Sequence, residues 1–249
     1  MNILSDLYET NKSSSIKAFS LTIKNWPIVF TGIIYSIISI VLFRISFIFS
    51  ILAGIVITLV MSALFSNYLY LIENIISYGK VTLDDFKKGF QVYIWKIYGI
   101  MVVIWFINYG AGLFLSPILK LRIGFITLWM LLYWVAFILL NCLPEVIYQK
   151  HYDLKEMFQY SFSFVKENWI DWFVPNIFLG ILFYFVMGKT LTISYLMGGF
   201  SFSLSIKRFV FYFLGQLLLS FIMIYRGVLF NLLSSTTRRK RMFKRNMYK

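Results

Sequence analysis

Most of this chain is taken up by long apolar stretches that carry almost no charge, and a soluble core has no way to bury all of them. Residues 26–43, 45–72, 97–115, 123–143 and 172–187 contain no Asp, Glu, Lys or Arg, and residues 209–233 contain only Arg226. A helix needs roughly 20 such residues to cross about 30 Å of hydrocarbon. The composition agrees: 60% of the residues are hydrophobic and 14% charged, against about 45–50% and about 25% in soluble domains. The expected fold class is an all-α membrane protein with six transmembrane helices, forming a single polytopic domain over residues 1–249.

The approaches to these stretches repeat. Phe19-Ser20-Leu21-Thr22-Ile23-Lys24-Asn25-Trp26 returns as Phe162-Ser163-Phe164-Val165-Lys166-Glu167-Asn168-Trp169, and a looser version runs from Leu83 to Trp95. Each precedes an apolar run. In the first, Ser15 is a candidate helix cap, residues 1–14 read as loosely ordered, and Ile16, Phe19, Ile23 and Trp26 share one helical face. In the second, Thr82-Leu83-Asp84-Asp85 forms a capping-box start, with Leu83, Phe86, Phe90 and Ile94 on the apolar side. In the third, Asp153-Leu154-Lys155-Glu156 repeats that start before Phe158, Phe162 and Val165. The pattern predicts three internal repeats, each an interfacial amphipathic helix followed by two spans: 15–73, 82–145 and 153–233, with a basic tail at 234–249. Turns are expected at Arg44 and at the basic loop with Lys120 and Arg122. A Gly/Ser/Thr-rich loop is expected over 188–208.

Charge sets the expected orientation. Lys12, Lys17, Lys24, the lysines of the two later amphipathic segments and the tail all fall on one side. The other side holds Arg44, Lys120, Arg122, Lys189, Lys207 and Arg208. All ten acidic residues lie with the first set. The positive-inside bias then predicts both termini in the cytoplasm and a multi-pass protein of the cell membrane. The first apolar run has the length of a span and lacks a small-residue cleavage site, so no signal peptide is expected.

Few residues suggest chemistry. One cysteine (Cys142) and one histidine (His151) leave no disulfide and no Cys- or His-based metal centre. No paired carboxylates, phosphate-binding loop or nucleophile with a base can be found, so the chain reads as non-enzymatic and needs no cofactor. Arg226, inside the sixth span, is costly there unless paired. The expectation is a cluster of Arg226 with one or both of Glu73 and Glu145, acting as a structural bridge or as a gate or anion site. Asn67, Asn108, Asn141, Asn176 and Asn231 are candidate interhelical bonds, and Gly32/Ser36, Ser50/Gly54 and Ser62/Ser66 are candidate close contacts. Trp26, Trp95 and Trp169 read as interfacial anchors. Arg238, Arg239, Lys240, Arg241, Lys244 and Arg245 read as contacts to anionic lipid, with no nucleic-acid partner expected.

The segments 19–26, 82–95 and 143–169, including Leu143-Pro144-Glu145, resemble uncharacterised six-helix membrane-protein families of Gram-positive bacteria. More loosely, they resemble the membrane domain attached to some bacterial glycerophosphodiester phosphodiesterases, without its hydrolase domain. The resemblance implies architecture and carries over no catalytic residue. The functional expectation is a membrane subunit or accessory factor of a transport or export system with a cytoplasmic partner. The alternative is a self-contained immunity, regulatory or membrane-organising protein. The sequence leaves the oligomeric state open.

Overall fold

A computed structural model describes residues 3–123, 125–188, 206–238, 240–241 and 243. The Gly/Ser/Thr-rich loop expected over 188–208 therefore lies largely outside the described residues. Among those described, the chain is almost wholly helical, and six stretches are long and apolar enough to cross a membrane: Trp26–Ser50, Ala53–Tyr78, Ile94–Phe114, Leu128–Gln149, Leu154–Met187 and Phe209–Ser235. The protein is an all-α, multi-pass membrane protein by architecture.

In chain order, α1 (Ile3–Lys24) leads through a 3₁₀ segment (Trp26–Phe30) into α2 (Thr31–Ile45). A second 3₁₀ segment (Ser46–Leu52) returns the chain to α3 (Ala53–Tyr78). The short α4 (Leu83–Val92) precedes α5 (Ile94–Phe114) and α6 (Ser116–Leu119). A minimal antiparallel ribbon pairs Arg122 with Thr127 and Ile123 with Ile126. It leads to α7 (Leu128–Leu139), α8 (Leu143–Gln149), α9 (Leu154–Met187) and α10 (Ile206–Ser235).

The bundle is built around α10. In its span, 67% of the most apolar window is buried inside the protein, against 11% for α5. Leu219, Ile222, Ile224, Tyr225, Leu229 and Phe230 of α10 all lie in the core. The hairpin of α5 and α7 stands at the edge, with Trp105, Phe106, Phe114, Tyr133 and Phe137 all exposed from the protein. In lipid such surface is already solvated, so packing depends on small residues and interhelical hydrogen bonds rather than on apolar burial.

Contacts of that kind hold α4. The Ser66 hydroxyl donates to the Gly89 carbonyl at 2.6 Å, and the Asn67 amide donates to the Phe86 carbonyl. Tyr35 of α2 donates to Asn67 Oδ1. Gly89 is required by the approach itself, since a Cβ there would sit 3.1 Å from Asn67 Cα and 3.2 Å from its carbonyl oxygen. The expected capping box is present: Asp85 N donates to Thr82 Oγ1, and Thr82 N donates to Asp85 Oδ2. At the far end of α3, Gly79 closes the helix at φ 74°, a left-handed cap that glycine adopts without a Cβ clash.

Three backbone breaks separate surface segments from spans. Asn25 (φ −112°, ψ 31°), Tyr93 (φ −115°, ψ 5°) and Asn168 (φ −119°, ψ 20°) share one bridge-region conformation. Each is followed within two residues by an exposed tryptophan: Trp26, Trp95 and Trp169. Both asparagines donate their amide to the carbonyl four residues back, Leu21 and Phe164. Asn25 also donates to the Gly79 carbonyl and accepts from Val81 N, both at 3.1 Å, which ties the first break to the α3–α4 turn.

Several expectations need correction. Residues 3–14 are helical, and the helix does not begin at Ser15. Asp6, Thr10, Ser14, Ala18 and Thr22 recur every fourth residue and are all buried, forming a small, polar stripe that packs on α10. Ile16, Phe19 and Ile23 point away from the protein, as an interfacial helix requires. The first reversal falls at Ser50 (φ 46°) rather than Arg44, because α2 continues past the arginine. Glu73 does not close the second span, since α3 runs on to Tyr78. The fourth span starts at Leu128, after the ribbon, and breaks before α8. The third amphipathic segment and the fifth span form one helix, α9, interrupted only at Asn168.

Gly89→Val is expected to lower unfolding free energy in detergent by about 1–3 kcal/mol through overpacking. Gly110 has open space where its Cβ would be, so Gly110→Ala should be neutral or stabilising by up to about 1 kcal/mol. Thermal or denaturant unfolding of the purified full chain distinguishes the two.

Candidate functional site

The site starts from a helix that stops. Pro144 has no amide proton to continue the ladder from α7, so the chain opens at 140–142 and restarts as α8 with Pro144 in its first turn. Opening leaves the Asn141 carbonyl available and places Glu145 on the inner face of α8, fully buried. Facing it across the bundle is Arg226 of α10, 8% exposed.

Arg226 Nε donates to Glu145 Oε1 at 2.7 Å, and Nη2 donates to Glu145 Oε2 at 3.0 Å, a bidentate pair. Nη2 also donates to the Asn141 carbonyl at 2.6 Å. Nη1 donates to Asn141 Oδ1 at 3.2 Å and to Asn176 Oδ1 at 3.5 Å. The guanidinium carbon sits 4.9 Å from the centre of the Trp172 ring, and Trp172 Nε1 donates to Asn141 Oδ1 at 3.0 Å. A guanidinium has five N–H donors, and all five are engaged here. Charge and hydrogen-bond capacity are both met inside the protein, so no donor remains to receive an anion. The arrangement is a clasp joining α7, α8, α9 and α10.

Glu73 takes no part in it. Its carboxylate accepts from the Tyr93 hydroxyl, at the break between α4 and α5. Lys96 lies over the Tyr93 ring at 5.9 Å and donates to the Lys150 carbonyl at 3.5 Å. Burial, and then the bond to Glu73, push the Tyr93 phenol well above its ordinary range. Of the two glutamates expected as possible partners, Arg226 therefore takes Glu145 alone, and Glu73 is held at a separate site by Tyr93.

The tail also departs from expectation. Arg241 is buried and donates to Asp171 Oδ2 at 3.0 Å and to Asp6 Oδ2 at 3.3 Å. Arg238 donates to Asp171 Oδ1 at 2.9 Å. These two arginines are internal counterions to buried acids from α1 and α9. Lys240 is exposed, while Arg239, Lys244 and Arg245 lie outside the described residues. Of the five asparagines, Asn67, Asn141 and Asn176 bridge helices. Asn108 turns back on its own Ile104 carbonyl, and Asn231 is exposed.

Sequence reasoning missed Asn141 as the centre of the clasp, Trp172 beneath the guanidinium, and the Asp6–Asp171–Arg238–Arg241 group. Pro144 was the signal for the first. An aspartate at 171, just before an apolar run, was the signal for the last. The fold and these clusters define a polytopic helical membrane protein whose buried charges hold helices together. No family model, curated protein or solved structure matches the chain.

Arg226→Leu and Glu145→Leu are each expected to cost about 3–5 kcal/mol, since each strands a buried charge. The double variant should cost less than the sum by about 1–3 kcal/mol, and simple additivity in a double-mutant cycle would refute the pairing. Asp171→Asn should speed tryptic cleavage after Arg241, read by mass spectrometry of the folded protein in detergent.

Proposed function

We propose that the chain is a non-enzymatic membrane subunit or accessory factor of a transport or export system, with a soluble partner docked on the face that carries both termini. In this reading the protein spans the cell membrane, both termini are cytoplasmic, and the chain is three repeats of a surface helix and two spans. The matching breaks at Asn25, Tyr93 and Asn168 support the threefold scheme.

The observation that carries the docking reading is the mounting of α4. Its apolar side is bonded to α3 through Ser66 and Asn67, while Asp84, Lys87, Lys88 and Gln91 are exposed. A short helix fixed rigidly to a span and presenting mixed charge to water transmits force between a soluble subunit and the membrane. The first half of α9 adds Lys155, Glu156, Gln159, Lys166 and Glu167, also exposed. Because the Arg226 clasp is saturated, any path for a transported molecule lies with the partner or between subunits.

A specific observation favours the competing reading of a self-contained immunity or membrane-organising protein. The exposed apolar face of α1, with Lys17 and Lys24 exposed beside it, is suited to acting on the lipid itself. The likeness to the membrane domain of glycerophosphodiester phosphodiesterases enters either reading as a likeness of architecture only.

Purification of the tagged full chain from native membranes in mild detergent is expected to recover one soluble partner in stoichiometric amount. Lys87→Glu/Lys88→Glu should reduce that recovery at least tenfold, a loss of about 1.4 kcal/mol or more, with unfolding unchanged. Recovery of the chain with lipid and no protein partner would overturn the docking reading in favour of the competing one. Fluorescent protein fused after Lys249 should mature and fluoresce, as a cytoplasmic terminus requires.

A further inference from the structure

The end of the bundle away from the termini carries cations with no acid to pair with. All ten acidic residues of the chain lie on α1, late α3, α4, α8, the α9 cap at Asp153 and α9 as far as Asp171, toward the other end. Among the described residues, ion pairs involve only Arg226, Arg238 and Arg241. Arg44, Lys120 and Arg122 must therefore find counter-anions outside this chain.

At Lys120 there is also a place to put one. A cleft of about 380 Å³ lies between α5, α6 and the start of α7, lined by Asn108, Gly112, Ser116, Lys120, Thr127 and Trp129. Its polar lining contains a cation, two hydroxyls and an amide, and no carboxylate. Gly112 leaves open space where a side chain would fill the cleft. Asn108 commits one N–H to the Ile104 carbonyl at 2.7 Å, which leaves its second N–H for a ligand. Arg122 pairs with Thr127 across the ribbon, and residues directly opposite in an antiparallel pair share a face. This sets a second cation at the rim.

The volume falls within the range of small-ligand sites, roughly 300–1,000 Å³. The surrounding helices are apolar and face lipid, and Trp129 suits the depth at which headgroups meet hydrocarbon. We propose that this cleft binds the phosphate headgroup of an anionic phospholipid in the leaflet away from the termini. Lys120 neutralises the phosphate, Ser116 and Asn108 donate to its oxygens, and the acyl chains lie along the exposed side of the α5–α7 hairpin. This goes beyond the docking reading and needs no soluble partner, so the two fail independently.

The test is native mass spectrometry of the detergent-solubilised full chain, titrated with phosphatidylglycerol, phosphatidylcholine or glycerol 3-phosphate. One phosphatidylglycerol should bind with an affinity that falls roughly tenfold in Lys120→Gln and similarly in Ser116→Leu, which fills the cleft. Arg44→Gln, carrying an equal charge change at the same end but outside the cleft, should leave that affinity unchanged. Phosphatidylcholine should bind more weakly than phosphatidylglycerol. Wild-type affinity in Lys120→Gln would overturn the proposal, as would an equal loss in Arg44→Gln, which marks general attraction to the surface. Lys120-dependent binding of glycerol 3-phosphate without Lys120-dependent binding of the lipid would overturn it in favour of a soluble phosphate.

Discussion

A guanidinium inside a membrane protein must find an opposite charge and acceptors for five N–H groups, and Arg226 finds them in Asn141 and Glu145, within one turn of a broken helix, and in Asn176 of α9. The arginine and the break answer each other. An interrupted helix in hydrocarbon leaves backbone carbonyls that lipid is unable to satisfy, and the break between α7 and α8 leaves one at Asn141. Arg226 supplies the missing donor at 2.6 Å, while Glu145, placed by the restart of the helix, supplies the charge. Neither defect is tolerable alone. Together they fix the relative positions of α8, α9 and α10, and the burial of α10 at the centre of the bundle follows from that arrangement.

The same economy of polar groups operates at the membrane surface. Helix α1 packs by a stripe of Asp, Thr, Ser and Ala and turns its isoleucines and phenylalanine outward, the reverse of a soluble amphipathic helix. That inversion is what lipid demands, since apolar surface gains nothing by leaving it. The bonds that hold α4 to α3 are likewise from side chain to backbone, through Ser66 and Asn67. Where the chain passes from surface helix to span, one backbone conformation recurs at Asn25, Tyr93 and Asn168. At two of these breaks an asparagine amide donates to the carbonyl four residues back. At the third, the Tyr93 N–H is received by the Ser66 hydroxyl at 2.8 Å.

What was legible in the sequence follows from which physical demands are one-dimensional. Span length is such a demand, and the six stretches were found by counting. The need of Arg226 for a partner was also legible, because an unpaired charge in an apolar run is too costly to leave. Which acid would serve was not legible, since a choice between Glu73 and Glu145 depends on helix rotation and on Tyr93 reaching Glu73 first. The polarity of residues 3–14 read as disorder because burial was judged by hydrophobicity, whereas α1 buries small polar residues. The charge of Arg44 suggests a turn there, but the reversal uses Ser50, whose left-handed φ has no sequence signature. Asp171 stood at the mouth of an apolar run without an evident partner, because its partners lie more than sixty residues later in the tail.

Two of the tail's arginines already have counterions within the chain. Arg238 and Arg241 both pair with Asp6 and Asp171. The cations left to act on the bilayer are those that no acid of the chain can reach. At the end that carries the termini, acids and bases are interleaved, and exposed lysines such as Lys87 and Lys88 share their helix with Asp84 and Asp85. At the opposite end the sequence places six cations and no acid, so none of that charge is offset within the chain.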